Sequence, residues 1–569
     1  MNSTLALPRP RGILDLPLEI LHLIFSCFEY PHDFYPSTTD WIKPYYYAEV
    51  NPFVTDEKNR RECVQNARLV CRRFNELASP YLFAWLEIGL SQKSLDFVEH
   101  ISRRPFLAKG VRHLSVLLNY FPGELTTSLS NFKAVQTRPF NQSSNLGYHR
   151  LDLSMGTKNV KFYDDVNNAW NEYFDATEYA TISRNGFAYQ QCLLRGFADY
   201  RDRHIEQLEL VTHGTFVRCL ATSLTQMPRC DSLLLGNDCW ESTTSHTREI
   251  ADSGIDWLKG YLTEPILVDL PVAMHKAGVE LQRLHVACFP INYGYRMLQS
   301  GKESSMVCTS WVDLSAACGR LEEFSFTPCV WKNYKTVDLE DDLPDRVRII
   351  CAFLSAILSS SYLREIDFHG MDDDFSNDVR AFPRALARDE WSSLECLYLN
   401  RIRLTQRELD TICAALPPYL KKLSMVDVAL KDDGIWAIAL DILRNKFVAR
   451  CVQQRCKVEF RVLEGGDFYS AASRIQQLCN VNFRGLTGGG FYSMYSESMR
   501  QLLWPEWNFT HYSIPESLAE RYVSGNGVHE NPLTGDIEKI LRQGPQEVNS
   551  EATQLELFAT NPWDWILSF

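Results

Sequence analysis

A chain of 569 residues exceeds one small domain, and 45% hydrophobic, 12% aromatic and 23% charged residues make a composition that excludes wholesale disorder. A formal net charge of −13 excludes nucleic acid as the main partner, because phosphate binding needs a basic footprint. No run of 18 or more apolar residues occurs, so no membrane span and no membrane partner are expected.

The first stretch, MNSTLALPRPRGILDLP, does not read as a secretory signal, because Glu19 and His22 interrupt the apolar run that follows and no small-residue cleavage site comes after it. Residues 15–28, DLPLEILHLIFSCF, predict a short helix in which Asp15 caps and Pro17 occupies the first turn. Its apolar residues fall on nearly every face, more than a short helix can bury in its own domain, which points to cover by a second protein. Residues 29–60 are rich in Tyr and Pro and read as an inserted loop. Helical spacing resumes at NRRECVQNARLVCRRFNELASPYLF, through Cys63, Ala67, Val70, Cys71 and Phe74, and Pro80 interrupts it. The basic cluster Arg60, Arg61, Arg68, Arg72 and Arg73 is expected on a solvated helix face.

From residue 83 onward one pattern returns: apolar, two residues, apolar, one residue, apolar. It appears as FAWLEI (83–88), VRHLSV (111–116), IEQLEL (205–210), CDSLLL (230–235), LQRLHV (281–286), LEEFSF (321–326), LREIDF (363–368), LECLYL (394–399) and LKKLSM (420–425). The middle pairs are mostly polar, as in half-exposed strands, and amphipathic segments follow several copies. VRIICAFLSAIL (347–358), TQRELDTICAAL (405–416) and GIWAIALDIL (434–443) are expected to be helices, the second opening with Thr405 and Glu408 in capping-box spacing. Spacings of 25 to 31 residues recur among the copies, in or just above the range of leucine-rich repeats. A strand–helix unit of this kind cannot bury both of its apolar faces alone, so neighbours must stack. The expected fold class is α/β: N-terminal helices at 12–82, then an irregular solenoid of strand–helix units at 83–463 with a divergent or inserted stretch at 117–204. Residues 464–569, with Gly488–Gly490 and the aromatic end carrying Trp563, Trp565 and Phe569, are expected to form an irregular cap.

LPLEILHLIF (16–25) together with ARLVCRRFNELASPYLF (67–83) resembles the F-box, whose Leu-Pro-x-Glu-Ile opening and Leu-Val-Cys-Arg-Arg-Phe-like close are matched by Leu16, Pro17, Glu19 and Ile20 and by Leu69 to Phe74. The junction LASPYLFAWLEI is similar to the passage into leucine-rich repeats in fungal F-box proteins. In the family the motif is compact, whereas here about 30 residues separate its halves, an insertion that can be looped out at little entropic cost. The resemblance implies docking onto a Skp-type adaptor, and through it a cullin, by Leu16, Pro17, Ile20, Leu21, Ile24, Leu69, Val70, Cys71 and Phe74, which suit a helix-in-groove interface.

No nucleophile, base or phosphate-cradling motif stands out, so no catalytic residue and no cofactor are expected. Cys451 and Cys456 lack metal spacing, and His369 with Asp372, Asp373 and Asp374 reads as a polar repeat loop, so no metal is expected either. The 17 cysteines are scattered, several inside apolar runs, which points to a reducing compartment, cytoplasmic or nuclear. The expected function is that of a non-catalytic substrate receptor in a Skp–cullin–F-box ubiquitin ligase; the alternative is a leucine-rich-repeat interaction scaffold outside any ligase. Polar residues between the repeated apolar ones, Glu322, Arg364, Glu395 and Lys421 with His285, Asp367 and Tyr398, are the candidates for binding a protein substrate.

Overall fold

In the computed structural model, which describes residues 13–29, 52–121, 123–136, 165–173, 184–236, 260–261, 266–290, 311–329, 343–370, 385–386, 391–431, 434–468 and 514–535, helices and parallel strands form a mixed α/β protein. It divides into two compact units, one up to Leu281 and one from Gln282 onward.

The first unit opens with three helices, α1 (Leu18–Ser26), α2 (Pro52–Val70) and α3 (Arg72–Ala78). α2 starts at Pro52, earlier than the helical restart expected at Asn59, because proline at a first helical position gives up only an N–H that has no partner there. The run read as one continuous helix breaks at Cys71, whose backbone is extended and whose Sγ accepts from Phe74 N at 3.4 Å, capping α3. Leu21, Phe25, Val64, Phe74, Leu77 and Ala78 form the core of these helices, with the rings of Phe25 and Phe74 edge to face at 5.1 Å. Of the arginine cluster Arg72 is solvated as expected, its side chain 93% exposed and paired with Glu76, but three of its neighbours are drawn into the helical packing. Arg73 Nη1 donates to Leu14 O at 2.8 Å, Arg60 Nη1 to Phe28 O at 3.2 Å, and Arg68 Nε to Asn75 Oδ1 and Ser79 Oγ at 2.9 Å each, so these guanidiniums tie the helices together.

Three parallel strands follow, β1 (Trp85–Gly89), β2 (His113–Leu117) and β3 (Ser232–Gly236), with α4 (Gln92–Ser102) between the first two. Leu86, Leu114 and Leu233 lie in one buried row, and Ile88, Val116 and Leu235 in the next. Between β2 and β3 the described residues are largely helical: α5 (Leu129–Gln136), α6 (Arg184–Thr212) and α7 (Thr215–Leu224). They carry an aromatic core of their own with Phe121, Phe132, Trp170, Leu193 and Tyr200. IEQLEL (205–210), expected as a strand, lies inside α6. Ile205 and Leu208 are exposed while Leu193, Tyr200 and Gln207 are buried at sevens, so helical rather than repeat spacing decides this segment.

In the second unit six strands lie side by side in chain order, every pair parallel: β4 (Arg283–Pro290), β5 (Glu323–Cys329), β6 (Glu365–His369), β7 (Cys396–Leu404), β8 (Lys422–Leu430) and β9 (Lys457–Glu464). LREIDF and LECLYL pair as neighbours, Ile366 opposite Leu397 and Phe368 opposite Leu399. Helices α8 (Leu343–Ile357), α9 (Gln406–Ala415) and α10 (Trp436–Val452) alternate with the later strands. The Thr405–Glu408 capping box is present: Thr405 Oγ1 accepts from Glu408 N, and Thr405 N donates to Glu408 Oε2 at 2.9 Å. β9 carries no copy of the repeated pattern, since Arg455 stands where the first apolar residue is expected, yet it pairs with β8 from Lys422–Lys457 onward. Leu284, Phe324, Ile366, Leu397, Leu423 and Val458 form one apolar row and Val286, Phe326, Phe368, Leu399, Met425 and Phe460 the next, with Phe326 stacked on Phe368 at 5.1 Å.

Beyond those rows three neighbouring strands share a backbone kink. Arg401, Asp427 and Val462 have φ of 51°, 55° and 51°, and Gly370, directly after β6, lies against Arg401, where a Cβ would meet Arg401 O at 1.8 Å. The kink shifts the alternation, so Ile402 and Leu404 on β7, and Val428 and Leu430 on β8, are buried in the new phase. α11 (Ile514–Ser524) closes this end of the unit: Tyr522 OH donates to Asp441 Oδ1 at 2.6 Å, and Asn531 Nδ2 donates to Ala437 O at 2.9 Å. Residues 30–51, the glycine run 488–490, Asp372–Asp374, and Trp563, Trp565 and Phe569 lie outside the described residues.

Candidate functional site

Two surfaces carry the candidate residues. On the N-terminal helices the nine adaptor candidates separate by burial. Leu21 and Phe74 are buried in the core of the helices, and Cys71 is used as a cap. Leu16 is half-buried, whereas Pro17, Ile20, Ile24, Leu69 and Val70 face outward, the last two 84% and 63% exposed. Leu18 and Leu23 belong with them, Leu23 being 66% exposed. The motif match passed over both, because Leu18 fills its variable position and Leu23 lies beyond its conserved opening. Aliphatic side chains of this size gain about 1.5–3 kcal/mol each when fully covered, so the surface is poised for an apolar partner.

On β4–β9 the seven substrate candidates divide into two sets. Glu322, Arg364, Glu395 and Lys421 each stand one residue before their strand and pair with one another. Arg364 lies 3.7 Å from Glu322 and 2.9 Å from Glu395, and Lys421 Nζ is 2.6 Å from Glu395. The hydrogen bond and charge of Glu395 push the Arg364 guanidinium above its ordinary range, while Lys421, followed by Arg364, holds the Glu395 carboxyl below its own. The set is largely solvent-exposed, so its net contribution to stability is small.

His285, Asp367 and Tyr398 lie within their strands and in one row with Ser325, Ser424 and Glu459, on the face opposite the apolar rows. His369 and Asn400 face each other in the row beyond, just before the kink. The residues that share this face on the other side are Arg283, Glu323, Glu365, Cys396, Lys422 and Lys457, the third position of each repeat rather than the second.

This face is polar and yet enclosed. His285, Asp367, His369, Asn400, Ser424 and Glu459 are all buried. Burial pushes the His285 imidazole down to about 4 against the opposing pull of Asp367, so it is neutral near pH 7. Burial, reinforced by Glu365, Cys396 and Asp367, pushes the Tyr398 phenol up. Lys422 Nζ sits 4.7 Å from the Tyr398 ring centre, and Arg461 pairs with Glu459. Ser325 and Ser424 occupy the fifth position of the repeated pattern, the same one as Asp367 and Tyr398, and could have been read from it. His369 and Asn400 come after the pattern ends, and Glu459 is on the strand that carries no copy.

Compared with known proteins, the chain matches no family model, no curated sequence and no solved structure. Among the described residues no helix is long and apolar enough to cross a membrane.

Proposed function

We propose that the chain is the substrate-recognition adaptor of a Skp–cullin–F-box type ubiquitin ligase, with residues 12–82 as the F-box and a leucine-rich-repeat-like solenoid as the receptor. The observation that carries this reading is the outward aliphatic set Leu18, Ile20, Leu23, Ile24, Leu69 and Val70, in the two segments whose sequence resembles the F-box. A helical segment that leaves this much aliphatic surface uncovered is built for a protein groove. The in-register parallel strands with intervening helices support the repeat reading of the second unit. In this role the chain does no chemistry. It holds a protein substrate close to the ubiquitin-carrying enzyme and raises its effective concentration.

The test is co-purification of the full chain with a Skp-type adaptor. Replacing Ile20, Ile24 and Leu69 with Asp is expected to weaken capture at least about a hundredfold, since central aliphatic anchors commonly contribute 2 kcal/mol or more. The circular dichroism spectrum should stay unchanged, because all three side chains face outward; Leu21 is left alone, being part of the helical core. Undiminished capture by this triple variant refutes the ligase reading and leaves the interaction scaffold in its place.

A further inference from the structure

The cysteine pair that lacks metal spacing is brought together where α10 ends. RCVQQRC (450–456) carries the chain from the last turn of α10 into β9, the edge strand of the sheet. Arg455 N donates to Arg450 O at 2.9 Å and Gln454 N to Cys451 O at 2.8 Å, the two nested bonds by which a helix end reverses the chain. Gln454 takes the left-handed conformation that this reversal needs, with φ of 55°. The Arg450 guanidinium ties the turn down, donating through Nη2 to Arg455 O at 3.3 Å and through Nη1 to Pro418 O at 3.1 Å. The reversal sets residue 455 against 450 and residue 456 against 451, and the thiols of Cys451 and Cys456 are hydrogen-bonded.

The two thiols differ in the way that a redox pair requires. Cys451 is half-buried and open to solvent on one side, whereas Cys456 is 7% exposed. The hydrogen bond from Cys456, aided by the charge of Arg450, holds the Cys451 thiol below its ordinary range against the effect of burial. The same bond, together with burial, pushes Cys456 up. Burial alone pushes Cys318 up to about 12, which leaves an enclosed thiol inert. Cys396 at the start of β7 is no rival partner. It stands opposite Lys422, and Lys422 opposite Lys457, so two strand spacings, about 10 Å, separate it from the start of β9, beyond the reach of a disulfide. Cys451 and Cys456 are both free thiols in the folded chain, so a cross-link between them is a response and not a structural staple.

We propose that Cys451 and Cys456 are a peroxide-responsive modification site, Cys451 the attacking thiol and Cys456 the resolving one, closing a reversible disulfide across the end of α10. The Cys451 thiolate attacks one oxygen of hydrogen peroxide. The O–O bond breaks, the second oxygen leaves as water once protonated, and the Cys451 sulfur becomes a sulfenic acid. The Cys456 sulfur gives up its proton and attacks the oxidised sulfur; the S–S bond forms, the S–O bond breaks and a second water leaves. In sum the two thiols lose two electrons and two protons, and one peroxide is reduced to two waters. The site lies outside the ligase reading and does not depend on it.

The experiment treats the full chain with a small excess of hydrogen peroxide, alkylates the remaining thiols and digests with trypsin in the absence of reductant. Cleavage after Arg450, Arg455 and Lys457 releases CVQQR and CK, which stay joined only if the disulfide has formed. The joined pair should accumulate severalfold faster in the folded chain than in the urea-unfolded chain, and ahead of oxidation at the exposed Cys27, Cys63, Cys192 and Cys219. Dithiothreitol should return the two peptides separately. Cys456→Ser should strand Cys451 as a sulfenic acid that dimedone labels, and Cys451→Ser should leave Cys456 unlabelled. Absence of the joined pair while the exposed cysteines oxidise, equal rates in the folded and unfolded chain, or a link to Cys396 in its place overturns the site. Dimedone on Cys456 in Cys451→Ser, with none on Cys451 in Cys456→Ser, overturns the order of attack. Should Cys456→Ser fail to fold, the digest of the unaltered chain still decides the pairing.

Discussion

The N-terminal helices and the polar sheet face depart from the ordinary burial rule in opposite directions. α1 and the end of α2 turn aliphatic side chains outward, and β4–β9 enclose a histidine pair, carboxylates, an amide and hydroxyls. The two departures have different consequences for the fold. An exposed aliphatic residue costs the free chain little, so it can be altered without unfolding anything. An enclosed polar group burdens the folded state directly, through desolvation or through a missing partner. Binding at the first surface should therefore separate cleanly from stability, while at the second the two are linked.

The largest effect should come from crossing the boundary inside α1. Phe25 is buried against Phe74, and Phe25→Ala should cost about 4 kcal/mol, the usual range for truncating a buried aromatic residue. Its neighbour Ile24 faces outward, and Ile24→Ala should cost less than about 0.5 kcal/mol. Amide hydrogen exchange over residues 18–26 reads this locally: protection should collapse in the first variant and persist in the second. Equal loss in both would mean that the outward aliphatics already support the fold, and the comparison would fail.

Acidification should act on the second region alone. His285 is held down to about 4 in the folded chain and titrates near 6.5 when unfolded. The unfolded state therefore binds the extra proton first, so stability is full above about pH 6.5 and falls as pH drops towards 4. Asp367 pulls the imidazole towards protonation, and His369 and burial oppose it. Between pH 7.5 and pH 5 the second unit should lose about 2 kcal/mol through this group. Denaturant unfolding of the native chain and of His285→Gln at both pH values isolates the contribution. An identical loss in the variant would show that another group carries it.

How much of this was legible in the residues depends on where period and chemistry agree. LREIDF, LECLYL and LKKLSM each set apolar residues against polar ones at strand spacing, and they became neighbouring strands in register. IEQLEL has the same letters inside a long helical run, and there the spacing of Leu193, Tyr200 and Gln207 prevailed. Pro17, expected in the first turn of α1, stands at its N-cap instead and offers no side-chain acceptor. The inward and outward halves of the F-box-like motif could not be told apart in an over-apolar helix, since Leu21 and Ile24 look alike until a packing partner is placed. The kink was invisible for a different reason. Arginine and valine carry no turn signal and a lone aspartate only a weak one, yet neighbouring strands share the same positive φ at all three.

The smallest expected effect concerns what one enclosed hydroxyl on the polar face costs the fold. Ser424 is 1% exposed, and its Oγ has no hydrogen-bonding partner among the described residues. Removing a hydroxyl that is hydrogen-bonded destabilises a protein, whereas removing one that is enclosed and unpaired relieves a desolvation cost and leaves only a very small void. Ser424→Ala should therefore raise stability, by about 1 kcal/mol in denaturant unfolding. A gain in stability is the signature of a polar group kept at the expense of the fold. Lower stability would instead place an ordered water on Ser424 Oγ.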